Sequence, residues 1–487
     1  MANKVVLLML SMFKNKFHYL LILMLFSCNT IKDIDSIPIE IEKSSLELMS
    51  ISKEDKNLID FLEYYNFSIP KEGINWNSDL LVMIGIYYNK ALALKRAEYG
   101  LIASDVQVLA AGYKGYIITP LIEYHSEGKP FSLGLNIEMP IKKISIKKTK
   151  TDLVRIKSIT KALEITDPVW ELRTIILKSI VDILKYEHEY SIEEKIINKS
   201  YENYAILDNL FKQGLISKLL LDKEKINIEE LVSKLGIIKA KIKASRIYLA
   251  STMNISMNMI LDKKISLENE KMPSLKDFER QLNNKLNIAL INRGEVLTSL
   301  SKYAETELEL RLLVAEENKL VTSITPGILW DQTDLIFNLS GAILLSNKDL
   351  TNAKISRALL KRDVMKASFE VTQSLILSQV QSAYAKMLVV NAEYYAALSL
   401  LKNAKLSLLR VIDSKNNGEL SILNIKKAEL LILQREKLIS NTNFYRMSSL
   451  FEFEKSLGQS YFKGSYIPQN AYYPIEYFTH INEGKLK

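Results

Sequence analysis

The sequence predicts a mainly α-helical chain with a small β part, laid out twice over as helix, strand, strand, long helix, helix. Three observations predict it. Prolines number 10 in 487 residues and are absent between Pro168 and Pro273 and between Pro326 and Pro468. An interior proline costs a helix ~3 kcal/mol, so those gaps are where uninterrupted helices fit. Stepping by four and three residues from Ile376 lands on Val380, Ala383, Met387, Val390, Tyr394, Ala397, Leu401, Ala404, Leu408 and Val411, all apolar or aromatic. A heptad pattern without a miss marks a helix packed along its length in coiled-coil fashion. Subtracting 204 from those positions gives Leu172, Ile176, Ser179, Ile183, Tyr186, Tyr190, Glu193, Ile197, Ser200, Tyr204 and Leu207, with Glu193 the clear misfit. The same offset carries Gly418-Glu419-Leu420-Ser421 onto Gly214-Leu215-Ile216-Ser217, so the chain contains an internal duplication.

From the N-terminus, Lys14 and Lys16 precede an apolar run over 20–27, followed by Cys28. This is the layout of a secretory signal, and a run of roughly eight residues is well short of the ~20 needed to cross a bilayer. Leu25-Phe26-Ser27-Cys28 resembles the bacterial lipobox, in which the cysteine is acylated and begins the mature chain. Cys28 is the single cysteine and cannot form an internal disulfide. An ordinary signal peptide with a leftover thiol is the alternative. Asn29 follows Cys28, and in lipoproteins a non-acidic residue there implies delivery to the outer membrane. A second apolar patch over 5–13 leaves Met12 open as the translation start. The expected organisation is a signal over 1–27, a mature N-terminal segment over 28–75, a first repeat over 76–260, a linker over 261–274, a second repeat over 275–463 and a tail over 464–487. The tyrosines of the tail, with Pro468 and Pro474, read as an extended segment lying on the helices.

In the first repeat a helix is expected over 78–111, then strands over 115–124 and 131–139 around the turn-rich stretch beginning at His125. Phe131, Leu133, Leu135, Ile137 and Met139 alternate with Ser132, Gly134, Asn136 and Glu138, one face apolar and the other polar. Asp167-Pro168, a capping acid before a first-turn proline, marks a break or restart of the long helix that ends at Gly214. The returning helix runs over 218–257. The second repeat has an extra helix over 275–291, a helix over 294–317, and strands over 320–329 and 335–345 around Trp330-Asp331-Gln332, where alternation is weaker. A helix over 347–416 follows, ~100 Å at 1.5 Å per residue, with Gly418 as its left-handed C-cap. The returning helix over 422–457 is closed by Gly458. Ser217 and Ser421 stand where a serine can cap the next helix or enter it. Strands of about ten residues with short turns suit a transmembrane barrel wall with its apolar side toward lipid. A soluble hairpin packed on a helix shows the same alternation.

Charge narrows the function classes. The net charge is +9, and removing Lys4, Lys14 and Lys16 with the leader lowers it to +6. Lysines alternate with glutamates, as in Lys223-Glu224-Lys225, which reads as solvated helix faces and not as a nucleic-acid surface. No apolar run after Cys28 approaches membrane-spanning length, so the mature chain can cross a bilayer only as a β-barrel. The four histidines, His18, His125, His188 and His480, form no metal-ligand spacing. With no phosphate-binding glycine loop and no nucleophile elbow, neither an enzyme, a metal nor a cofactor is expected.

The duplicated order resembles the outer-membrane efflux factors, the TolC-like channels. The matching pieces are the lipobox at Cys28, Asn77-Ser78-Asp79-Leu80 and Asn292-Arg293-Gly294-Glu295 at the helix starts, the Gly-x-x-Ser turns, Val380-Gln381-Ser382-Ala383-Tyr384 and Ala428-Glu429-Leu430. The family commonly has proline before the acid at the helix starts, where this chain has Ser78 and Gly294. The resemblance covers about residues 76–460. It implies a homotrimer in which each chain gives four strands to a 12-stranded β-barrel in outer-membrane lipid and its helices to a trimeric α-helical barrel in the periplasm. It further implies a passive conduit fed by an inner-membrane transporter through a periplasmic adaptor of the membrane-fusion type. The turns at Gly214, Ser217, Gly418 and Ser421 would be the adaptor contact. Six residues after the second glycine the family often carries an aperture acid, but here stands Asn424, with Lys427 beyond it, as possible aperture lining. A lipid-anchored periplasmic spacer or adaptor without channel activity is the alternative.

Overall fold

The computed structural model describes residues 38–49, 55–69, 76–111, 116–124, 131–140, 144–267, 272, 275–318, 321–331, 334–343 and 347–461. Cys28 and the signal, the turn at His125 and the tail over 464–487 lie outside them. The chain divides into two units, Met1–Ser50 and Ile51–Lys487. The first contributes one described helix, α1 (Ile41–Met49). No described helix is long and apolar enough to cross a membrane.

The second unit begins with α2 (Lys56–Tyr64), β1 (Trp76–Asn77), α3 (Ser78–Tyr88), α4 (Lys90–Ala111), β2 (Ile117–Tyr124) and β3 (Phe131–Pro140). It continues through α5 (Ile144–Leu163), α6 (Thr166–Lys212), α7 (Lys218–Met253) and β4 (Ile265–Ser266). The remainder is α8 (Leu275–Asn292), α9 (Gly294–Glu317), β5 (Val321–Asp331), β6 (Asp334–Ile343), α10 (Lys348–Asn416) and α11 (Ile422–Leu457).

Local chemistry sets the ends of these elements. The Asn347 side chain accepts from the backbone N–H groups of Asp349 and Leu350 at 3.0 and 3.3 Å and starts α10. Its 69 residues then run unbroken, with Ile376, Val380, Met387, Val390, Ala397 and Ala404 of the heptad series buried. The corresponding helix of the first half is split. The break falls at Glu164 and Ile165, and α6 restarts with Thr166-Asp167-Pro168, where a proline in the first turn has no hydrogen bond to lose. The stretch expected as one helix over 78–111 is also two. Asn89 ends α3 in an extended conformation, and its side chain accepts from Leu92 N–H at 3.0 Å to start α4. An asparagine that can cap the next helix competes locally with continuing the first one. Helix α2 and the two-residue parallel pairing of β1 with β4 lie in segments where the sequence pattern marks no element.

The helices form rows. In one, α7 packs on α6, α6 on α11 and α11 on α10; in the other, α4 packs on α5, α5 on α9 and α9 on α10. Long α10 belongs to both. Two apolar clusters hold the junction. One joins α2 and α3 to the start of α6 and the end of α7 through Phe61, Leu81, Met83, Ile176, Ile180, Leu249 and Met253. The other joins α8, α9, α10 and the end of α11 through Ala289, Val296, Ile376, Val380, Leu450, Phe453 and Leu457.

Charged groups sit inside these contacts. Arg173 and Glu454 are 1% and 0% exposed, and Arg173 Nη1 donates to Glu454 Oε2 at 2.8 Å. Glu193, the misfit of the heptad series, is also buried, and it is paired with Lys437 of α11 at 2.7 Å and Lys234 of α7 at 3.1 Å. A carboxylate is tolerated in that seam because two ammonium groups compensate its desolvation.

Asp167 illustrates the opposite balance. Burial, and then the carboxylate of Glu295, push it up to about 7, against the pull of Arg293 and Lys455. Folded Asp167 therefore holds its proton more tightly than the unfolded chain does between about pH 4 and pH 7, and its contribution to stability falls as pH rises through that window. We expect Asp167→Asn to gain over wild type as pH goes from 4 to 7, by up to about 4 kcal/mol, and to keep a constant offset above pH 8. Urea midpoints of the two proteins across that range test this, and a difference independent of pH sinks it.

Candidate functional site: the two-faced sheet and the helical tips

Two hairpins, β2 with β3 and β5 with β6, join through β3 and β5 into one antiparallel sheet of order β2-β3-β5-β6. Directly opposed residues of an antiparallel pair share a face, so the register decides the chemistry of each side. It pairs Ile122 with Leu133, Leu133 with Trp330 and Trp330 with Leu335. One row further along, Pro120 pairs with Leu135, Leu135 with Ile328 and Ile328 with Phe337. Four strands thus contribute to one apolar face. Among the described residues nothing covers it, and Phe337 is 72% exposed.

The opposite face carries the polar rows. Glu123 pairs with Ser132, Ser132 with Asp331 and Asp331 with Asp334, and Ser132 Oγ donates to Asp331 Oδ1 at 2.7 Å. Thr119, Asn136, Gly327 and Asn338 form another row. A Cβ at Gly327 would stand 2.0 and 2.1 Å from the Oδ1 atoms of Asn136 and Asn338, so the amides reach over a position only glycine leaves open. Between these rows lie Leu121, Gly134, Leu329 and Ile336. Leu329 and Ile336 are the apolar residues that weaken the alternation of the second hairpin in sequence, and Leu329 folds over Gly134. Among the described residues β2 and β6 each pair on one side only, which leaves two open edges.

At the other end of the long helices are the two turns. Gly214 and Gly418 have φ of +72° and +80°. Each closes its helix in a Schellman arrangement: Gly214 N–H bonds Phe211 O at 2.8 Å and Leu215 N–H bonds Leu210 O at 2.9 Å. In the second turn Gly418 N–H bonds Lys415 O at 3.0 Å and Glu419 N–H bonds Ser414 O at 2.9 Å. Ser217 and Ser421 occupy the N-cap positions in extended conformation, but neither side chain makes the capping bond. The expected hydroxyl caps are replaced by backbone bonds alone, from Leu220 N–H to Ser217 O and from Asn424 N–H to Ser421 O, both 3.1 Å. The tips expose Leu215, Leu219 and Leu220 on one hairpin and Leu420 and Ile422 on the other.

A four-charge network ties the tips together. Lys426 reaches Glu202 at 2.9 Å and Lys199 reaches Glu429 at 3.1 Å, which joins α11 to α6. Asn424 is half-buried and Lys427 is exposed. Burial pushes the Glu224 carboxyl of α7 up, while Asn227 and the charge of Lys427 pull it down. The charge of Lys427 is thus felt by an acid on the neighbouring hairpin, more than 200 residues away in sequence. Among the described residues no cluster of three or more potential metal ligands occurs.

No family model matches the sequence, and no curated protein matches it significantly. Solved structures do match. The outer membrane protein VceC from Vibrio cholerae superposes with a TM-score of 0.61 at 12% identity, over 79% of this chain and 97% of that one. The open-state MtrE outer membrane channel of Neisseria gonorrhoeae gives 0.59 at 13%, over 78% and 89%. The CmeC outer membrane channel of Campylobacter jejuni gives 0.57 at 13%, over 93% of each. The chain has the fold of these outer-membrane channel proteins.

Proposed function

We propose that this chain is the outer-membrane channel component of a tripartite efflux or secretion system, a passive conduit from periplasm to exterior. The observation that supports the reading is the sheet: among the described residues it is apolar and uncovered on one face, carries the polar rows on the other, and is open at both edges. Four strands are half the smallest single-chain barrel, and lipid tolerates no open edge, so the sheet is complete only when copies join. A homotrimer gives twelve strands, with the apolar face toward outer-membrane lipid and the polar face lining the bore. The helix rows are incomplete in the same way, with α7 and α10 as outer members. Residues 76–260 and 275–463 act as the two structural repeats, and an acyl group on Cys28 anchors the chain to the membrane.

The turns at Gly214, Ser217, Gly418 and Ser421 receive a periplasmic adaptor, which connects the tube to an inner-membrane transporter. Their exposed leucines supply the apolar contact. Asn424 and Lys427 line the aperture, with Lys427 replacing a carboxylate ring by a cationic one. A lipid-anchored spacer is the weaker reading, because it has no use for an uncovered apolar sheet.

The test is extraction and reconstitution. The protein is expected to resist urea extraction from membranes, to run on gels as a heat-modifiable oligomer, and to give discrete conductance steps in planar bilayers. Acyl labelling is expected to disappear in Cys28→Ser. Urea-soluble protein that is silent in bilayers overturns the channel.

A further inference from the structure

A band of aromatic rings and cations crosses the four long helices at one level. On α10, the rings of Tyr394 and Tyr395 lie 4.1 and 6.0 Å from the guanidinium carbon of Arg446 on α11. Arg446 Nε donates to Asn391 Oδ1 at 2.9 Å, which fixes the guanidinium between the helices. Next to Arg446, the Tyr445 ring lies 5.3 Å from Lys185 Nζ on α6. Lys185 also stands 4.4 Å from the Tyr186 ring, and Lys241 of α7 reaches that ring at 5.5 Å. All these separations fall within or close to the ~6 Å range of cation–π attraction.

The two ends of the band differ and are complementary. At α7 it ends on an exposed ammonium, Lys241; at α10 it ends on Tyr395, 51% exposed. These helices are the outer members of the row, and each leaves apolar residues uncovered nearby, Ile237 and Tyr248 on α7 and Val389 and Leu398 on α10. Rotation about an axis parallel to the helices keeps every residue at its height. In a ring of copies, the cationic end of one band therefore stands at the level of the aromatic end of the next.

We propose that the occupant of the open α7 and α10 faces is a second copy of this chain, and that Lys241 of one copy sits on the Tyr395 ring of the next, closing the band into a continuous girdle. The proposal rests on the channel reading and adds to it the contact that locks the helical tube. The pairing is specific in hand, because only a head-to-tail ring brings α7 against α10. The apolar residues around it supply area, and the cation–π contact sets the height at which the helices meet.

The test uses the full-length protein in membranes. Lys241→Cys with Tyr395→Cys is expected to cross-link into covalent trimers with a short bis-maleimide, while either single variant, which still carries Cys28, does not. Lys241→Met and Tyr395→Leu are each expected to speed thermal dissociation of the oligomer ~3-fold, while Lys241→Arg and Tyr395→Trp retain the wild-type rate. A wild-type oligomer that forms and conducts, without the cross-link and with Lys241→Met dissociating at the wild-type rate, overturns the girdle and leaves the channel standing. A wild type that forms no oligomer overturns both.

Discussion

Arg173→Met is expected to be among the most destabilising single changes in the chain, at about 3–5 kcal/mol, because it leaves the Glu454 carboxylate buried without its counter-charge. The guanidinium it removes is held from several sides. It donates to Glu454 Oε2 at 2.8 Å and lies 5.3 Å from the Trp170 ring and 5.9 Å from the Phe451 ring. Glu454 also accepts from the backbone N–H of Tyr461 at 2.6 Å and from Ser460 Oγ at 3.0 Å, so the pair closes the end of α11 against the first turns of α6. Removing both charges should cost less than removing one. Arg173→Met with Glu454→Leu is expected to recover part of the loss, and to fall short of wild type by what the Ser460 and Tyr461 bonds contribute, ~1 kcal/mol each. Denaturant midpoints of the single and double variants decide the matter: a single variant within about 1 kcal/mol of wild type contradicts the uncompensated-charge argument.

Ile328→Arg is expected to abolish outer-membrane assembly, whereas Asn338→Arg leaves assembly intact and changes conductance. Ile328 lies mid-strand on the apolar face, opposite Leu135 and Phe337, and on the proposed channel reading an arginine there meets lipid at a cost of about 2–4 kcal/mol. Asn338 is on the adjacent strand but the other face, opposite Gly327, where a guanidinium stays in water. The two residues have similar depth in the sheet and opposite chemistry, so the comparison isolates the face from the position. Membrane fractionation with gel migration reads the first variant, and bilayer recording reads the second. Equal tolerance of arginine on both faces would show that neither contacts lipid.

Much of this architecture is written in local periodicity. The stepping from Ile376 to Val411 and its echo 204 residues earlier mark the two rods, and the glycines at 214 and 418 mark their ends in the left-handed conformation that a side chain disfavours. The apolar alternation in β3 reads directly as a two-faced strand. What local patterns miss has a common cause. Glu193 reads as a flaw in sequence because its compensating lysines lie on other helices, Lys234 on α7 and Lys437 on α11. Arg446, Arg293 and Asn391 are polar in sequence yet buried in the packed helices, and nothing within a turn of each predicts that. The hydroxyls of Ser217 and Ser421 stand where caps are expected, but the N-cap position alone does not aim a side chain.

The sequence by itself determined the long helices and the four long strands, where the rods turn and that the pattern occurs twice, since those depend on contacts within a few residues. Only the tertiary structure decided that β3 pairs with β5, so that two hairpins present one continuous apolar face, and that Arg173 meets Glu454 281 residues away. A register or a buried ion pair is a relation between distant segments, and its energy exists only once the packing has removed both partners from water.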